Sequence, residues 1–291
     1  MTTIAEQPAT LPPEPTPGAV TGHWSLTDNP HLLRAFEGGF QAPDDRLDPR
    51  GTWRESHDIV FCGPQNFSDP HWVYQGWIEI SREPGPDGTV SMRMTDGHIL
   101  GPKEEREWQL VEQASTHNAD TISPLPDGAK WTCRTRTLGQ QDEAARPFAE
   151  SCETSILRTE NGARFRERAI GGLGPSRHPV PADMPLTTSL GLIEACHRME
   201  PGRIGSGRAF GIFKDGTSWC PRQLLKPLPD STLTVHGRAF PLRGFAHTGT
   251  AHLPTFLWFD ASGHMVALRK GVLALVANPR PVMKARCPHA A

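Results

Sequence analysis

The feature that most limits the fold of this chain is a long series of short segments with strand composition, separated by turn sequences. Between residues 52 and 170 the connections are too short to hold a crossover helix, so neighbouring strands are expected to run antiparallel. The strongest turn signal is Asn161-Gly162, because this pair favours a tight hairpin turn. The predicted strands here are Thr52–Phe61, His71–Arg82, Thr89–Thr95, Glu107–Ser115, Ala129–Leu138, Phe148–Leu157 and Ala163–Ala169.

A second group of predicted strands follows the clearest helical pattern of the chain. That helix is predicted at Leu186–Met199, where apolar residues recur at helical spacing and Thr187 or Thr188 can cap the start. A shorter helix is predicted at Pro30–Phe40. The later predicted strands are Arg208–Phe213, Thr232–His236, Ala239–His247, Thr255–Phe259, His264–Arg269 and Val272–Ala277.

These patterns predict a mainly β protein made of antiparallel barrel or half-barrel units, with one connecting amphipathic helix. Residues 1–20 are rich in proline and are expected to form a flexible tail. Residues 21–175 are predicted to form a first antiparallel β unit, and residues 176–291 the helix and a second one. One large barrel-like sheet that holds the helix is the alternative.

Composition excludes several classes of function. The formal net charge is −2, which provides no basic field for a phosphate backbone, so no nucleic-acid partner is expected. The first 20 residues lack the basic and apolar regions of a secretory signal, and no apolar run is long enough to cross a bilayer. The protein is therefore expected to be cytoplasmic with no membrane partner, and its six cysteines, which form no C-x-x-C pair, are expected to be reduced in that compartment. The oligomeric state stays open.

The most informative pattern is an interrupted alternation in the first predicted strand. Residues two apart share a face of a strand, so Trp53, Glu55, His57, Ile59 and Phe61 lie on one side. This otherwise apolar face carries an acid next to an imidazole. Burying an unpaired charge is costly, so a partner, water or ligand must satisfy such groups. Clefts that contain acids and imidazoles with shifted pKa values are typical sites of proton transfer.

Acidic residues also interrupt the apolar faces of three later strands. Exposed edges and structural ion pairs account for such positions without any function, and we prefer that interpretation for them. They are Glu112, Glu150 and Glu167.

The candidate catalytic residues are Glu55 and His57 as a proton-transfer pair, with His71 or His98 nearby. Aromatic residues are spread over the predicted strands, as in proteins whose cavities hold hydrophobic small molecules. Packing in the core explains single tryptophans equally well. The candidate substrate-binding residues are Trp53, Tyr74, Trp77, Trp108 and Trp258.

A possible metal site lies in the later strands. His247, His252 and Asp260 provide two imidazoles and a carboxylate, which can hold iron or zinc with open positions. Their spacing matches no metal-binding motif, so we prefer to interpret the histidines as solvated turn residues.

One short motif resembles a known family. Trp53-Arg54-Glu55-Ser56, followed by a hairpin from Gly76-Trp77-Ile78-Glu79-Ile80 to Gly88-Thr89-Val90-Ser91-Met92, is similar to the opening of lipocalin-like two-domain β proteins, the carotenoid-hydratase and Diels–Alderase-related group. The resemblance covers the first β unit. It implies two lipocalin-like barrels, a hydrophobic ligand inside or between them, and chemistry without a bound organic cofactor. Glu55 is the one matched residue to which it implies a functional role.

Three hypotheses follow. The first is a cofactor-independent acid–base enzyme, of hydratase, dehydratase, isomerase or cyclase type, that acts on an apolar or glycosidic small molecule in a β-barrel cavity. The second is a non-catalytic protein that binds or carries a hydrophobic small molecule. The third is a metal-dependent hydrolase that uses His247, His252 and Asp260.

Overall fold

The computed structural model describes residue 26 and residues 30–43, 45–62, 74–100, 107–118, 129–138, 150–159, 162–169, 177–178, 186–198, 210–214, 218–250, 253–281 and 284. The helices in this part of the chain are α1 (Pro30–Gly39) and α2 (Ser189–Arg198). The strands are β1 (Trp53–Phe61), β2 (Tyr74–Pro84), β3 (Thr89–Leu100), β4 (Glu107–Asn118), β5 (Ala129–Leu138), β6 (Glu150–Thr159), β7 (Gly162–Ala169), β8 (Arg177–His178), β9 (Leu186–Thr188), β10 (Phe210–Lys214), β11 (Ser218–Val235), β12 (Arg238–Gly249), β13 (Thr255–Asp260), β14 (Met265–Lys270) and β15 (Leu273–Ala277).

These strands form a single sheet, in which β1 lies between β2 and β15. Strands β1 to β8 follow in chain order on one side, and β15 back to β9 follow on the other. The pairing between β1 and β15 runs from His57 opposite Ala277 to Phe61 opposite Leu273. Neighbouring strands are antiparallel, except that β9 and β10 are parallel. The mainly β, antiparallel class is therefore confirmed, whereas the division into two units near residue 175 stays a prediction.

Two apolar cores lie on the two faces of the sheet. Consecutive residues show this, because Ile59 belongs to the first core and Val60 to the second, as strand alternation requires. In the first core, α2 packs with side chains from strands on both sides of β1 in the sheet. The members of this core include Trp53, Ile80, Met92, Leu190, Ile193, Phe245, Phe259 and Met265. The second core contains α1, and its members include Leu32, Phe36, Val60, Trp258, Val266 and Val276.

The largest difference from the predicted strands concerns β11. We predicted only Thr232–His236, but the strand begins at Ser218. Three prolines in its first part argued against a strand, because proline cannot donate a hydrogen bond to a neighbouring strand. The sheet accommodates Pro229 in an irregularity between Leu228 and Ser231, where the pairing with β12 changes register.

Both predicted helices are present with small changes in their bounds. The first three residues of the second predicted helix are extended instead, so Leu186–Thr188 forms β9 and α2 begins at Ser189. The Oγ1 atom of Thr188 accepts a hydrogen bond from the backbone N–H of Gly191 at 3.0 Å, which confirms Thr188 as the cap. No helix within the described ranges is long and apolar enough to span a membrane. The predicted tail, residues 1–20, lies outside those ranges.

Candidate functional site

The site lies where β15 ends and leaves β1 facing β14. The pairing between β14 and β15 begins at Ala267 opposite Val276, so Met265 lies beyond it. Two side chains of β1 bind the peptide groups of Met265 there. Glu55 Oε1 accepts a hydrogen bond from the N–H of Met265 at 2.9 Å, and His57 Nε2 donates one to the carbonyl oxygen of Met265 at 2.8 Å. The acid and the imidazole that interrupt the apolar face of β1 therefore link it to β14.

Two further histidines hold the carboxylate of Glu55. His197 Nε2 lies 3.0 Å from Oε2, and His264 Nδ1 lies 3.2 Å from Oε1. Burial by itself would raise the pKa of Glu55, but the charge and hydrogen bond of His197 and the hydrogen bond of His264 hold it well below its ordinary value. Glu55 is thus an ionised, buried carboxylate with three hydrogen-bond donors around it.

His197 reaches Glu55 from helix α2 and is fixed by aromatic neighbours. Its ring stacks on Trp53 with centroids 4.4 Å apart, and it meets the ring of Phe259 at 4.8 Å in an edge-to-face contact. Its Nδ1 donates to the carbonyl oxygen of Ile193, one helical turn earlier, at 2.9 Å. The side chain is fully buried. His197 therefore supports Glu55 from inside the core.

His264 follows the turn Asp260-Ala261-Ser262-Gly263, which places it beside β1. Gly263 has a φ of 91°, a conformation that glycine adopts without strain, and Asp260 Oδ1 accepts the backbone N–H of His264 at 2.9 Å. The second ring nitrogen, Nε2, lies 3.1 Å from the carbonyl oxygen of Asp45 and 3.3 Å from its carboxylate. Both ring nitrogens thus face acceptors, which suits a doubly protonated ring. Burial opposes this charge, but the hydrogen bond and charge of Glu55 raise the pKa of His264.

His57 has the opposite electrostatic character. Its side chain is fully buried, and its Nδ1 has no hydrogen-bond partner among the described residues. Because Nε2 donates to the carbonyl oxygen of Met265, Nδ1 carries a free lone pair. Burial lowers the pKa of His57, and the nearby charge of Glu55 offsets this only in part. His57 is therefore a neutral imidazole at pH 7.

A cavity of about 420 Å³ adjoins these groups. Glu55, His57 and His264 line it together with Met265. None of the described residues in its wall is a phenylalanine, tyrosine or tryptophan, and eight of the thirteen have polar or charged side chains. The remaining members are Gln41, Ala42, Pro43, Asp45, Arg54, Ser56, Ala277, Asn278 and Pro279.

Comparison with known proteins assigns no family. No protein-family model matches the chain, and no curated protein matches it. In shape the chain is similar to the crystal structure of a β-barrel-like protein of a domain of unknown function, DUF1849, from Brucella abortus. The two share 6% sequence identity with a TM-score of 0.48, over 77% of this chain and 94% of that chain.

The predicted catalytic residues are placed in two groups. Glu55 and His57 lie together at the cavity. His98 lies on β3, where its Nε2 is 3.1 Å from Oδ2 of Asp96, and it does not line the cavity. His71 lies outside the described residues.

The predicted aromatic residues do not line the cavity. Trp53 stacks on His197, which is bound to Glu55, and neither Trp53 nor His197 lines the cavity. Trp77 is the register partner of Asp58 and so lies on the opposite face from His57, where Lys284 Nζ is 5.2 Å from its ring centroid. Trp258 belongs to the second core, whose side of the sheet is opposite to that of Trp53. The side chains of Tyr74 and Trp108 lie outside the described part of the structure.

The predicted metal ligands have other partners. His247 is buried, and its Nε2 lies 2.9 Å from Oε1 of Gln223. The carboxylate of Asp260 accepts a hydrogen bond from the backbone N–H of His264. His252 lies outside the described residues. Within the described ranges, no three or more histidine, cysteine, aspartate or glutamate residues are arranged to hold a metal ion.

Neither His197 nor His264, which both hold Glu55, is among the catalytic candidates predicted from the sequence, although a signal for His197 exists. In α2, Glu194 and His197 fall on the same side of the helix as the apolar residues Leu190 and Ile193. They interrupt an apolar helix face just as Glu55 interrupts an apolar strand face. A search for polar residues on the apolar faces of helices, and not only of strands, would have found His197 as well as Glu55.

The opposite pKa shifts of the two cavity histidines, His57 and His264, can be measured directly. We expect His264 to titrate above its ordinary value of 6.5 and His57 below it, because Glu55 stabilises the charged ring of His264 and burial disfavours that of His57. Side-chain ¹H–¹⁵N NMR over a pH series measures both, with His57→Gln and His264→Gln variants providing the assignments. Titration of the two rings at the same pH would contradict the electrostatic description of the site.

Proposed function

We propose that the cavity is the active site of a cofactor-independent acid–base enzyme of the hydratase, dehydratase or isomerase type. One observation carries the proposal: a buried carboxylate holds one imidazole of raised pKa, and a second imidazole of lowered pKa lines the same cavity. Neighbouring groups whose pKa values are pushed apart are the arrangement by which enzymes separate an acid from a base.

The geometry supports different roles for these residues. His57 accepts a proton through its free Nδ1 atom. His264 donates one through Nε2, where a substrate oxygen takes the place of Asp45, whose carbonyl oxygen and exposed carboxylate are the acceptors of that N–H in the structure. Glu55 already accepts three hydrogen bonds, so we assign it as a positioning residue rather than as a member of the proton-transfer pair.

A dehydration illustrates how the protons and electrons balance. The C–H bond of the substrate breaks, its proton passes to His57, and its electron pair forms the new C=C bond. The neighbouring C–O bond breaks, and the departing oxygen takes a proton from His264 and leaves as water. Hydration is the reverse, and an isomerisation returns the proton to a different carbon.

The wall of the cavity suits a small substrate that carries both polar and apolar groups, because eight of its thirteen described members are polar or charged and the other five are alanine, proline and methionine. The lipocalin-like resemblance supports the same cofactor-free class of chemistry, and a cytoplasmic location belongs to the proposal as well.

Deuterium exchange tests the proposal without knowledge of the substrate. Small ketones, keto acids and hydroxy acids are incubated with the protein in D₂O, and NMR and mass spectrometry measure deuterium at the carbon next to the carbonyl or hydroxyl group. We expect wild-type protein to catalyse exchange into at least one compound. His57→Gln and His264→Gln should each slow this by about 10²- to 10⁴-fold, the usual contribution of a general acid or base.

His98→Gln is the matched control, because it changes a histidine of the same sheet that does not line the cavity. Circular dichroism and melting curves establish that each variant is folded. If both cavity variants still catalyse the exchange at the wild-type rate, the proposal that His57 and His264 act as base and acid is wrong. A compound that stabilises the protein but is recovered without deuterium would instead favour a binding or carrier function.

A further inference from the structure

We infer that the cavity binds one acylated amino-acid residue in extended form, and that the backbone N–H and carbonyl groups of Arg54 pair with it as a neighbouring strand would. This inference rests on the proposed function and names the class of its substrate, a short peptide or an N-acyl amino-acid amide. It depends on an edge of β1 that β15 leaves uncovered at the cavity.

The even-numbered residues of β1, and Cys62 after it, direct their backbone groups toward β15. The N–H of Cys62 donates to the carbonyl oxygen of Val272 at 2.6 Å, and the carbonyl oxygen of Ser56 accepts from the N–H of Asn278 at 2.9 Å. Both backbone groups of a strand residue point to the same neighbouring strand, and those of the next residue point to the other one. Arg54, two positions before Ser56, therefore also directs its N–H and C=O to the β15 side.

β15 ends before it covers Arg54. Its last register pair with β1 is Ala277 opposite His57, so a longer strand would place Arg280 opposite Arg54. Instead, the N–H of Arg280 donates to Oδ1 of Asn278 at 2.9 Å, in a bend that ends the strand. Among the described residues, no other backbone group pairs with Arg54 on this side.

The uncovered edge faces the cavity. Arg54 lines the cavity, and although its side chain is exposed, its backbone groups lie in the plane of the sheet. On the β14 side, the N–H and carbonyl groups of Met265 are already bound by Glu55 and His57. A ligand therefore meets one open strand edge, with one donor and one acceptor, in a cavity that His264 also lines.

An extended amino-acid residue matches this edge, because it has both an N–H and a C=O. Antiparallel strands exchange these two hydrogen bonds between residues that lie directly opposite each other. A simple ketone or hydroxy acid has no N–H and can form only one of the two. Peptides that add a strand to a sheet edge obtain their affinity from main-chain hydrogen bonds of this kind. The volume of about 420 Å³ is that of a small-molecule site, so it suits a single residue with its two flanking amides.

Paired compounds test the inference on the wild-type protein. N-acetyl-alanine methylamide is compared with O-acetyl-lactic acid methylamide, in which an ester oxygen replaces the N–H and the shape stays nearly the same. Ligand-observed NMR measures both affinities. We expect the amide to bind at least about threefold more tightly than the ester, the usual value of one neutral hydrogen bond.

A proline substitution tests the other hydrogen bond. Arg54→Pro removes the N–H to which the ligand's carbonyl oxygen binds, and a strand edge tolerates proline where that N–H has no partner. We expect Arg54→Pro to bind N-acetyl-alanine methylamide at least about threefold more weakly than Arg54→Ala, which loses the same side chain but retains the N–H. Circular dichroism and melting curves establish that both variants are folded.

Amide hydrogen exchange, measured by NMR on the wild type, needs no ligand and decides together with the paired compounds if Arg54→Pro does not fold. The N–H of Arg54 should exchange at least about tenfold faster than those of Glu55 and His57, which face β2. N-acetyl-alanine methylamide at saturating concentration should slow the exchange at Arg54.

Four outcomes would overturn the inference: equal affinity for the amide and the ester, equal affinity of the two Arg54 variants, equal protection of the three amides, or no binding at millimolar concentration. If binding depends on the N–H groups but no compound exchanges deuterium, the peptide site stands and the proposed enzyme is wrong. If Arg54→Pro retains full exchange into small ketones and wild-type affinity for the amide, the enzyme stands and the peptide site is wrong.

Discussion

Replacement of Glu55 by glutamine is expected to lower the free energy of unfolding by about 3 kcal/mol. The amide has no charge to balance the ring of His264, and its NH₂ group replaces an acceptor among three donors. Loss of one partner of a buried ion pair costs about 3 to 5 kcal/mol; the lower end applies because an imidazole can release its proton. Urea unfolding at neutral pH measures the change.

Glu79→Gln is the control for this variant. The Glu79 carboxylate is half-buried and binds Ser56 and Lys284, so its replacement should cost less than about 1 kcal/mol. Equal losses in the two variants would show that Glu55 is an ordinary surface acid in energetic terms.

The effect of Glu55→Gln should also depend on pH in a specific way. The folded pKa of Glu55 lies below its ordinary value of 4.5, so its contribution to stability is complete above that pH and is lost as the pH falls below it. The folded pKa of His264 lies above its ordinary value of 6.5, so its contribution is complete below 6.5 and is lost as the pH rises through the folded pKa. The difference between wild type and variant should therefore be largest between these two pH values. A difference that does not change from about pH 3 to 8 would contradict the coupling.

Replacement of Glu194 by glutamine is the second change with a large expected effect, a loss of about 3 to 5 kcal/mol. Arg82 is 2% exposed, and its Nε donates to Glu194 Oε1 at 3.0 Å. Its Nη1 donates to the carbonyl oxygens of Arg50 and Gly51. Without Glu194 a buried guanidinium loses its charged partner, and α2 loses its ion pair with β2. Urea unfolding again provides the measurement.

Two further variants separate this ion pair from simple loss of packing. Glu83→Gln changes an exposed acid of the same strand as Arg82 and should cost less than about 0.5 kcal/mol. The double variant Arg82→Met with Glu194→Met should be more stable than Glu194→Gln alone, because it removes the buried guanidinium of Arg82 together with its partner, whereas both variants equally deprive Arg198 of its ion pair with Glu194. A double variant less stable than the single one would assign the effect to packing or to the carbonyl groups of Arg50 and Gly51.

The sequence was sufficient to predict that Glu55 and His57 are buried, because the alternation of a strand is a local property. It could not predict what holds them. His197 is 142 positions away from Glu55, and His264 is 209 positions away. The approach of His264 depends on the pairing of β1 with β15, and that of His197 on the packing of α2 in the first core. No local pattern specifies either.

The aromatic residues show a second limit of local patterns. β13 is buried along nearly its whole length, so alternation does not reveal which face Trp258 occupies. Leu257 and Phe259 belong to the first core and Trp258 to the second. β2 presents the same ambiguity, since Trp77 and Ile78 are both buried. A prediction of pocket residues from such strands therefore selects the correct face only by chance.

The pairing of β1 with β15 has a consequence for the order of folding. Residues that meet across the site, such as Glu55 and Met265, are separated by 210 positions, so the entropy of closing this loop is lost before their contacts form. Until then, one edge of β1 offers unpaired backbone groups to any other strand. A ribosome must therefore synthesise the chain through β15 before this edge is covered, and the same late step both protects the chain from aggregation and brings Glu55 and His57 to Met265.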